Sequence, residues 1–202
     1  MKEEKIPLLV IIGPTGVGKS HLAIKVAQCL DGEIISGDSM QVYRGMDIGT
    51  AKVTDEEQRL IPHHLINIRN LDEEYSVVDF CNEAKAKIKE IHERGKVPII
   101  AGGTGLYIQA FLEEYDFSIV PENKQFRLDM EKRGKENPGD LYEELRQKDP
   151  EIAAEIEPNN VRRVIRALEN IEAGGSLSRE KREGWLEHSW VIGLRMERSA
   201  MY

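Results

Sequence analysis

Short, wholly apolar runs alternate along the chain with longer stretches in which apolar residues return every three or four positions. "IPLLVIIG" (6–13) is a continuous apolar run closed by glycine, which suits a strand buried on both faces of a parallel sheet. After Lys19, the residues Leu22, Ala23, Val26, Ala27 and Leu30 fall on one face of a helix. "GEIISGDS" (32–39) predicts a second strand with Asp38 just past its end, and "HHLINI" (63–68) a weaker third. Ser76 followed by Asp79 reads as a capping box. Val77, Phe80, Cys81, Ala84, Ile88 and Ile91 then form the apolar stripe of a helix that Gly95 stops. "KVPIIAGG" (96–103) is the next strand. Strands alternating with helices predict an α/β fold on a parallel sheet.

Beyond about residue 116 the texture changes. Continuous apolar runs give way to charged helical stretches punctuated by Pro121, Pro138, Pro150 and Pro158, until "SWVIGLRM" (189–196) supplies one more strand. The expected organisation is a core over 1–116, a helical insertion over 117–190, and a strand returning to the core over 191–202. At 40% hydrophobic and 32% charged residues the chain has the balance of a globular domain rather than a disordered one. No leader-like apolar segment follows the charged start, and no run approaches the ~18 apolar residues that span a membrane. Cys29 and Cys81, distant in sequence and flanked by apolar residues, are expected to be reduced core thiols of a cytoplasmic protein. The net charge of −8 excludes a generally basic nucleic-acid binder, so any such site must be a local patch.

The densest chemical signal is "GPTGVGKS": Gly13, Pro14, Thr15, Gly16, Val17, Gly18, Lys19 and Ser20 fit G-x-x-x-x-G-K-[ST] between a strand and an amphipathic helix. Glycines let backbone N–H groups converge on phosphate oxygens. The helix N-terminus adds partial positive charge. Lys19 adds a point charge, and the Ser20 hydroxyl can ligate Mg²⁺. Such loops serve nucleotide-binding, commonly ATP-binding, proteins. Ligands of open α/β sheets sit beyond the carboxyl ends of the strands, where "GDSMQVYR" (37–44) and "GGTG" (102–105) also emerge. Asp38 there could bind Mg²⁺ indirectly, act as a general base, or merely cap a helix. The later strand ends in Ala101, Gly102 and Gly103 rather than in aspartate, which speaks against a motor or switch ATPase. In "EPNNVRRVIRALENI" (157–171), Arg162, Arg163 and Arg166 stand near the start of a helix and Glu169 near its end, opposing the dipole at about 0.3–1 kcal/mol per charge. The arginines either face an anion or form a solvated face with Glu155 and Glu157. His63 and His64 lack companions at metal-ligand spacing and read as structural.

Taken in order, "GPTGVGKS", "GDSMQVYRGMDIGTAK" (37–52), "HHLINI", "YSVVDF" (75–80), "GGTGLYIQA" (102–110) and "NNVRRVIRALE" (159–169) resemble the bacterial tRNA dimethylallyltransferase (tRNA isopentenyltransferase) family across nearly the whole chain. The resemblance implies a parallel sheet like that of P-loop nucleoside triphosphate hydrolases, carrying a helical insertion. It implies transfer of a dimethylallyl group from dimethylallyl diphosphate to N6 of the adenosine 3′ to the anticodon, with Mg²⁺ as cofactor. The loop at Gly13–Ser20 would then hold a leaving group rather than a cargo. Asp38 would be the general base, Thr15 would stand near the leaving oxygen, and Lys19 would neutralise diphosphate charge. Asp38, Ser39, Met40, Gln41, Thr104, Arg127 and the segment Arg162, Arg163, Val164, Ile165 and Arg166 match positions that contact tRNA, whose anticodon stem-loop the insertion would grip. The adenine would leave the anticodon stack to be reached. The resemblance also implies that family members continue past Tyr202, so that this is a C-terminally truncated member; "GGSLSREKREGW" (174–185) is shorter than the family's usual segment. The expected assembly is a monomer.

Three other readings share features with this one. A small-metabolite kinase shares the loop and the sheet but not "DSMQVYRGMDIGTAK", and no arginine-rich lid follows Gly105. An adenylate isopentenyltransferase shares the donor, and the basic segment 162–166 favours RNA over a free nucleotide. A non-catalytic RNA-binding module has no use for an intact Lys19, Ser20 and Asp38.

Overall fold

The structure is a computed structural model that describes residues 6–115, 123–137, 139–174 and 184–196. The chain falls into two compact units, one of residues 1–115 with 181–202 and one of residues 116–180.

The first unit is the sheet. Strands β1 (Leu8–Ile12), β2 (Gly32–Ser36), β3 (His63–His64), β4 (Val97–Gly102) and β5 (Ser189–Gly193) lie in the order β3-β2-β4-β1-β5. Every pairing is parallel, with Leu9 opposite Ile99 and Trp190, and Ile34 opposite Ile99 and His63. The expected insertion boundary at 190 therefore falls inside β5, which pairs with β1. Helices α1 (Lys19–Leu30), α2 (Asp55–Leu60), α3 (Val77–Glu93) and α4 (Gly105–Leu112) follow the strands and complete the α/β fold read from the sequence.

Both faces of the sheet are covered, which is why its strands are apolar without alternation. Ile11, Ile34 and Ile99 pack with Ala23, Ile24 and Ala27 of α1. Their neighbours Val10, Ile35 and Ile100 are equally buried and point, by strand alternation, to the other face. α3 and α4 join through an aromatic file in which Phe80 stacks on Tyr107 at 5.1 Å and Phe111 leans on Trp185 at 5.4 Å. The expected capping box opens α3: the Ser76 hydroxyl accepts from the Asp79 amide, and the Asp79 carboxylate accepts from the Ser76 amide at 2.8 Å. A second box, Thr54 with Glu57, opens α2. The third strand is shorter than the apolar run suggests, because Leu65 (φ 61°) and Asn67 (φ 55°) are left-handed and break the extended backbone.

Glu33, second residue of β2, is 4% exposed. His64 Nε2 lies 2.7 Å from its Oε2, and Arg94 donates to both oxygens at 2.6 and 3.3 Å. Burial pushes this carboxyl up, and the hydrogen bonds from Arg94 and His64 outweigh it, holding the group below the usual carboxylate range. His64 is thus structural, as its lone position in the sequence suggests. Cys81 is a buried thiol that burial pushes up to about 11, whereas Cys29 is exposed, contrary to its expected place in the core. It sits on the outward face of α1, next to the exposed Leu30.

The second unit consists, among the described residues, of helices α5 (Lys124–Glu136), α6 (Asp140–Lys148), α7 (Pro150–Ala154) and α8 (Val161–Glu172). Leu141 and Leu145 of α6 meet Ala153, Ile156 and the Val164, Ile165 and Leu168 stripe of α8 in a separate core. Pro150 fills the first position of α7, where its missing N–H costs nothing, and the Asp149 carboxylate caps the Ile152 amide at 3.0 Å.

At the carboxyl edge of the sheet, β2 and β4 approach more closely than side chains allow. A Cβ on Gly102 would fall 2.2 Å from the Gly37 carbonyl oxygen and 2.6 Å from the Gly37 Cα. Gly102→Ala is expected to cost about 1–3 kcal/mol through forced backbone movement. A denaturant-unfolding midpoint equal to that of the unchanged chain would show instead that the strand ends part freely.

Candidate active site

Three strand ends converge on one cleft of about 300 Å³, lined among others by Thr15, Lys19, Ser20, Asp38, Gln41 and His63. Gly13–Ser20 leaves β1 and turns directly into α1. Gly18 caps that helix at φ 91°, a left-handed conformation that side chains resist, and no side chain caps the first-turn amides. No acidic residue occupies that turn, so the amides and the helix dipole present positive potential undiminished. Lys19 Nζ folds back to donate to the Pro14 carbonyl at 2.8 Å. Burial lowers the affinity of this ammonium for its proton, and the Asp38 charge works against that fall.

Asp38 leaves β2 on the opposite side of the cleft. It does not cap a helix: its Oδ1 accepts from the Met40 amide at 2.9 Å, closing a turn, and Oδ2 has no hydrogen-bond partner among the described residues. The Gly37 amide donates to the Ala101 carbonyl at 2.8 Å and the Thr104 amide to the Gly37 carbonyl at 3.3 Å, tying the ends of β2 and β4 together. Thr104 Oγ1 accepts from the Ser39 amide at 2.9 Å and donates to Ser39 Oγ at 3.2 Å. Met40 is exposed. The Gln41 side chain is occupied within its own loop, donating to the Thr50 carbonyl at 3.2 Å and accepting from Ser36 Oγ at 3.4 Å.

Lys52, whose neighbours Ala51 and Val53 line the cleft, carried no signal in the sequence, and His63 was read only as structural. Lys52, its side chain 3% exposed, donates to the Tyr43 carbonyl at 2.6 Å, Asp47 Oδ1 at 2.8 Å and Asn67 Oδ1 at 2.7 Å. It pins the long segment after Asp38 to the segment after β3; nothing in the spacing of a single lysine announces that. His63, read as structural, lines the cleft instead. Its Nδ1 lies 2.8 Å from the Ile61 carbonyl, which only accepts, so Nδ1 carries the proton. Burial lowers this histidine from its ordinary value and favours the neutral ring.

The remaining expected site residues lie in the second unit. Val164 and Ile165 are 1% and 3% exposed in its core, so their side chains cannot meet a macromolecule, a correction that follows from helix periodicity. Glu169, 2% exposed, receives Arg127 through Nε and Nη2 at 3.1 and 2.9 Å, the Asn123 amide at 2.7 Å, and Arg166. Arg162 and Arg163 are exposed and make no ion pair among the described residues. The described residues contain no group of three or more His, Cys, Asp or Glu able to hold a metal, and no helix among them is long and apolar enough to cross a membrane.

A family model described as IPP transferase matches residues 41–202. The chain is 49% identical over its whole length to a tRNA dimethylallyltransferase of Bacillus pumilus and 46% identical to that of Bacillus subtilis, covering 65% and 66% of those proteins. It thus spans about two thirds of the length of the curated relatives it matches. Among solved structures it is similar to a full-length tRNA isopentenylpyrophosphate transferase of Bacillus halodurans, at 45% identity and a TM-score of 0.63, over 98% of this chain and 62% of that one. It is also similar to a eukaryotic dimethylallyltransferase described as acting on tRNA, at 37% identity and a TM-score of 0.80, over 94% of this chain and 48% of that one.

Lys52→Met keeps the bulk of the side chain and removes its three hydrogen bonds, two of them to the partly buried Tyr43 carbonyl and Asn67 Oδ1, at a cost of about 1–3 kcal/mol. Amides of residues 40–52 are expected to exchange hydrogen faster while those of β1 and β4 do not. Unchanged exchange in 40–52 would show that the loop holds its shape without this anchor.

Proposed function

The chain belongs to the IPP transferase family, and we propose that it serves transfer of a dimethylallyl group from dimethylallyl diphosphate to N6 of the adenosine 3′ to a tRNA anticodon. The observation that carries the reading is the pairing, across one cleft, of an uncapped phosphate loop with a carboxylate oxygen left unpartnered among the described residues.

The first-turn amides of α1 and Lys19 hold the diphosphate, and Thr15 stands at its leaving oxygen. The C1–O bond of the donor breaks, and its electron pair departs with diphosphate. The N6 lone pair forms the new C–N bond, and the N6 proton passes to Asp38 Oδ2. An allylic carbon ionises readily once its leaving group is stabilised, so positioning and electrostatics suffice. The donor set fits a divalent cation: Ser20 offers a hydroxyl, Asp38 a carboxylate, and among the described residues no cage of His, Cys, Asp and Glu competes with phosphate oxygens. Ser20 would hold Mg²⁺ there, and the ion would supply neutralisation of diphosphate charge. Lys19, already lowered by burial, gains a partner for its charge when diphosphate arrives.

Ser39 and Thr104, hydrogen-bonded to each other, and the exposed Met40 are proposed to receive a flipped adenosine. Arg162 and Arg163, exposed at the start of α8, are proposed to meet the anticodon stem-loop, with Arg127 and Arg166 acting through the Glu169 cluster. A local patch of this kind is compatible with a net charge of −8, because anticodon-loop recognition relies on stacking and base edges as well as phosphates. The assembly proposed is a monomer in the cytoplasm.

Competition binding with Mg²⁺ is the deciding test. Dimethylallyl diphosphate is expected to bind and ATP to compete poorly; clear preference for ATP would make the protein a kinase of small metabolites, and transfer to AMP rather than tRNA would make it an adenylate prenyltransferase. Asp38→Ala is expected to keep donor binding while single-turnover transfer falls about 10²–10⁴-fold. Near-normal transfer by that variant would remove Asp38 from the role of base.

A further inference from the structure

His63 Nε2 is buried and has no hydrogen-bond partner among the described residues. With the proton on Nδ1, this nitrogen is an acceptor. Leaving a buried acceptor unpaired costs about 1–3 kcal/mol, so the position calls for a donor. The imidazole lines the cleft that also contains Lys19, Ser20 and Asp38.

The chemistry of the cleft restricts what that donor is. A phosphate oxygen is itself an acceptor and repels the lone pair. Lys19 is turned to the Pro14 carbonyl. Ser36 Oγ donates to Gln41. Direct ligation of a metal by the imidazole is disfavoured, because the described residues offer no His, Cys, Asp and Glu cage, and a small hard cation such as Mg²⁺ prefers oxygen ligands and keeps several waters. Those waters are strong donors, and they need acceptors fixed by the protein.

Resting on the phosphate-loop reading above, we propose that His63 is an outer-sphere residue of the divalent-cation site at Ser20, its Nε2 accepting a hydrogen bond from the cation's hydration shell. The Ile61 carbonyl sets the tautomer that makes this possible, as the outer partner of a ligand commonly does. His63 thereby positions the cation against the loop without touching the reacting atoms.

The test uses the full chain, Mn²⁺ as the probe cation and inorganic diphosphate as the anion. Loss of the free-ion electron paramagnetic resonance signal reads Mn²⁺ binding in the presence of diphosphate, and calorimetry reads diphosphate binding without metal. His63→Leu is expected to weaken Mn²⁺ binding about 10–100-fold and to leave metal-free diphosphate binding unchanged. His63→Gln, whose Oε1 can accept, is expected to retain more of the Mn²⁺ affinity than His63→Leu. If His63→Leu does not fold, His63→Phe, closer in shape to imidazole, carries the same comparison. Full Mn²⁺ affinity in the apolar variant overturns the inference, as does an equal loss with and without metal. A chain that binds no diphosphate even with Mn²⁺ overturns the phosphate-loop reading and this inference together. Intact cation-dependent binding that ignores His63 overturns the inference alone.

Discussion

Backbone meets backbone where β2 and β4 end, at Gly37 and Gly102, and the site depends on that contact. With no Cβ between them, the Gly37 amide reaches the Ala101 carbonyl and the Thr104 amide reaches back to the Gly37 carbonyl. The two chains then leave the sheet side by side, which brings Ser39 onto Thr104 and sets Asp38 facing the loop that leaves β1. A parallel sheet gathers all its carboxyl ends on one edge, so three separate stretches of sequence become one cleft without any long excursion. A single methyl at Gly102 would meet the Gly37 backbone and push these elements apart.

Buried charge in this chain is divided between structure and site. Glu33 and Lys52 are each surrounded by partners that satisfy them, and each ties sequence-distant segments together, β2 to the end of α3 in one case and two loops in the other. Lys19 is different: among the described residues its hydrogen bond is to the Pro14 carbonyl, and burial makes its charge costly. Satisfied charges rigidify the frame, whereas the under-compensated cation and the uncapped helix terminus leave positive potential in the cleft.

Much of the fold was legible because its signals are local. Apolar runs without alternation gave β1, β2 and β4, and the Ser76–Asp79 box placed the start of α3 to the residue. The phosphate loop was legible for the same reason, since its chemistry is carried by consecutive residues. What the sequence could not display are relations between distant residues. The third strand stops after two residues because of left-handed backbone at Leu65 and Asn67, positions with no glycine to advertise it. His63 and His64 look alike in sequence, yet strand alternation sends one to the cleft and the other to Glu33. Cys29 and Cys81 differ in burial although both have apolar neighbours.

The inverted charge of α8 separates, in three dimensions, into two causes. Glu169 stands near the carboxyl end of the helix, against the dipole, and is 2% exposed. Such a carboxylate persists only if cations and amides enclose it, and Arg127, Arg166 and the Asn123 amide do so, holding it below the usual carboxylate range against the upward push of burial. Arg166 and Glu169 therefore explain one another and call for no outside partner. Arg162 and Arg163 are not so explained. They stand in the first turn beside amides that repel them, exposed and without an ion pair among the described residues. Each costs about 0.3–1 kcal/mol there. An external anion at that helix end would offset the cost twice, by pairing with the guanidinium groups and by accepting the positive end of the dipole. The uncompensated positive charge of α8 is thus confined to its first turn, and Arg166, paired with Glu169, has no share in it.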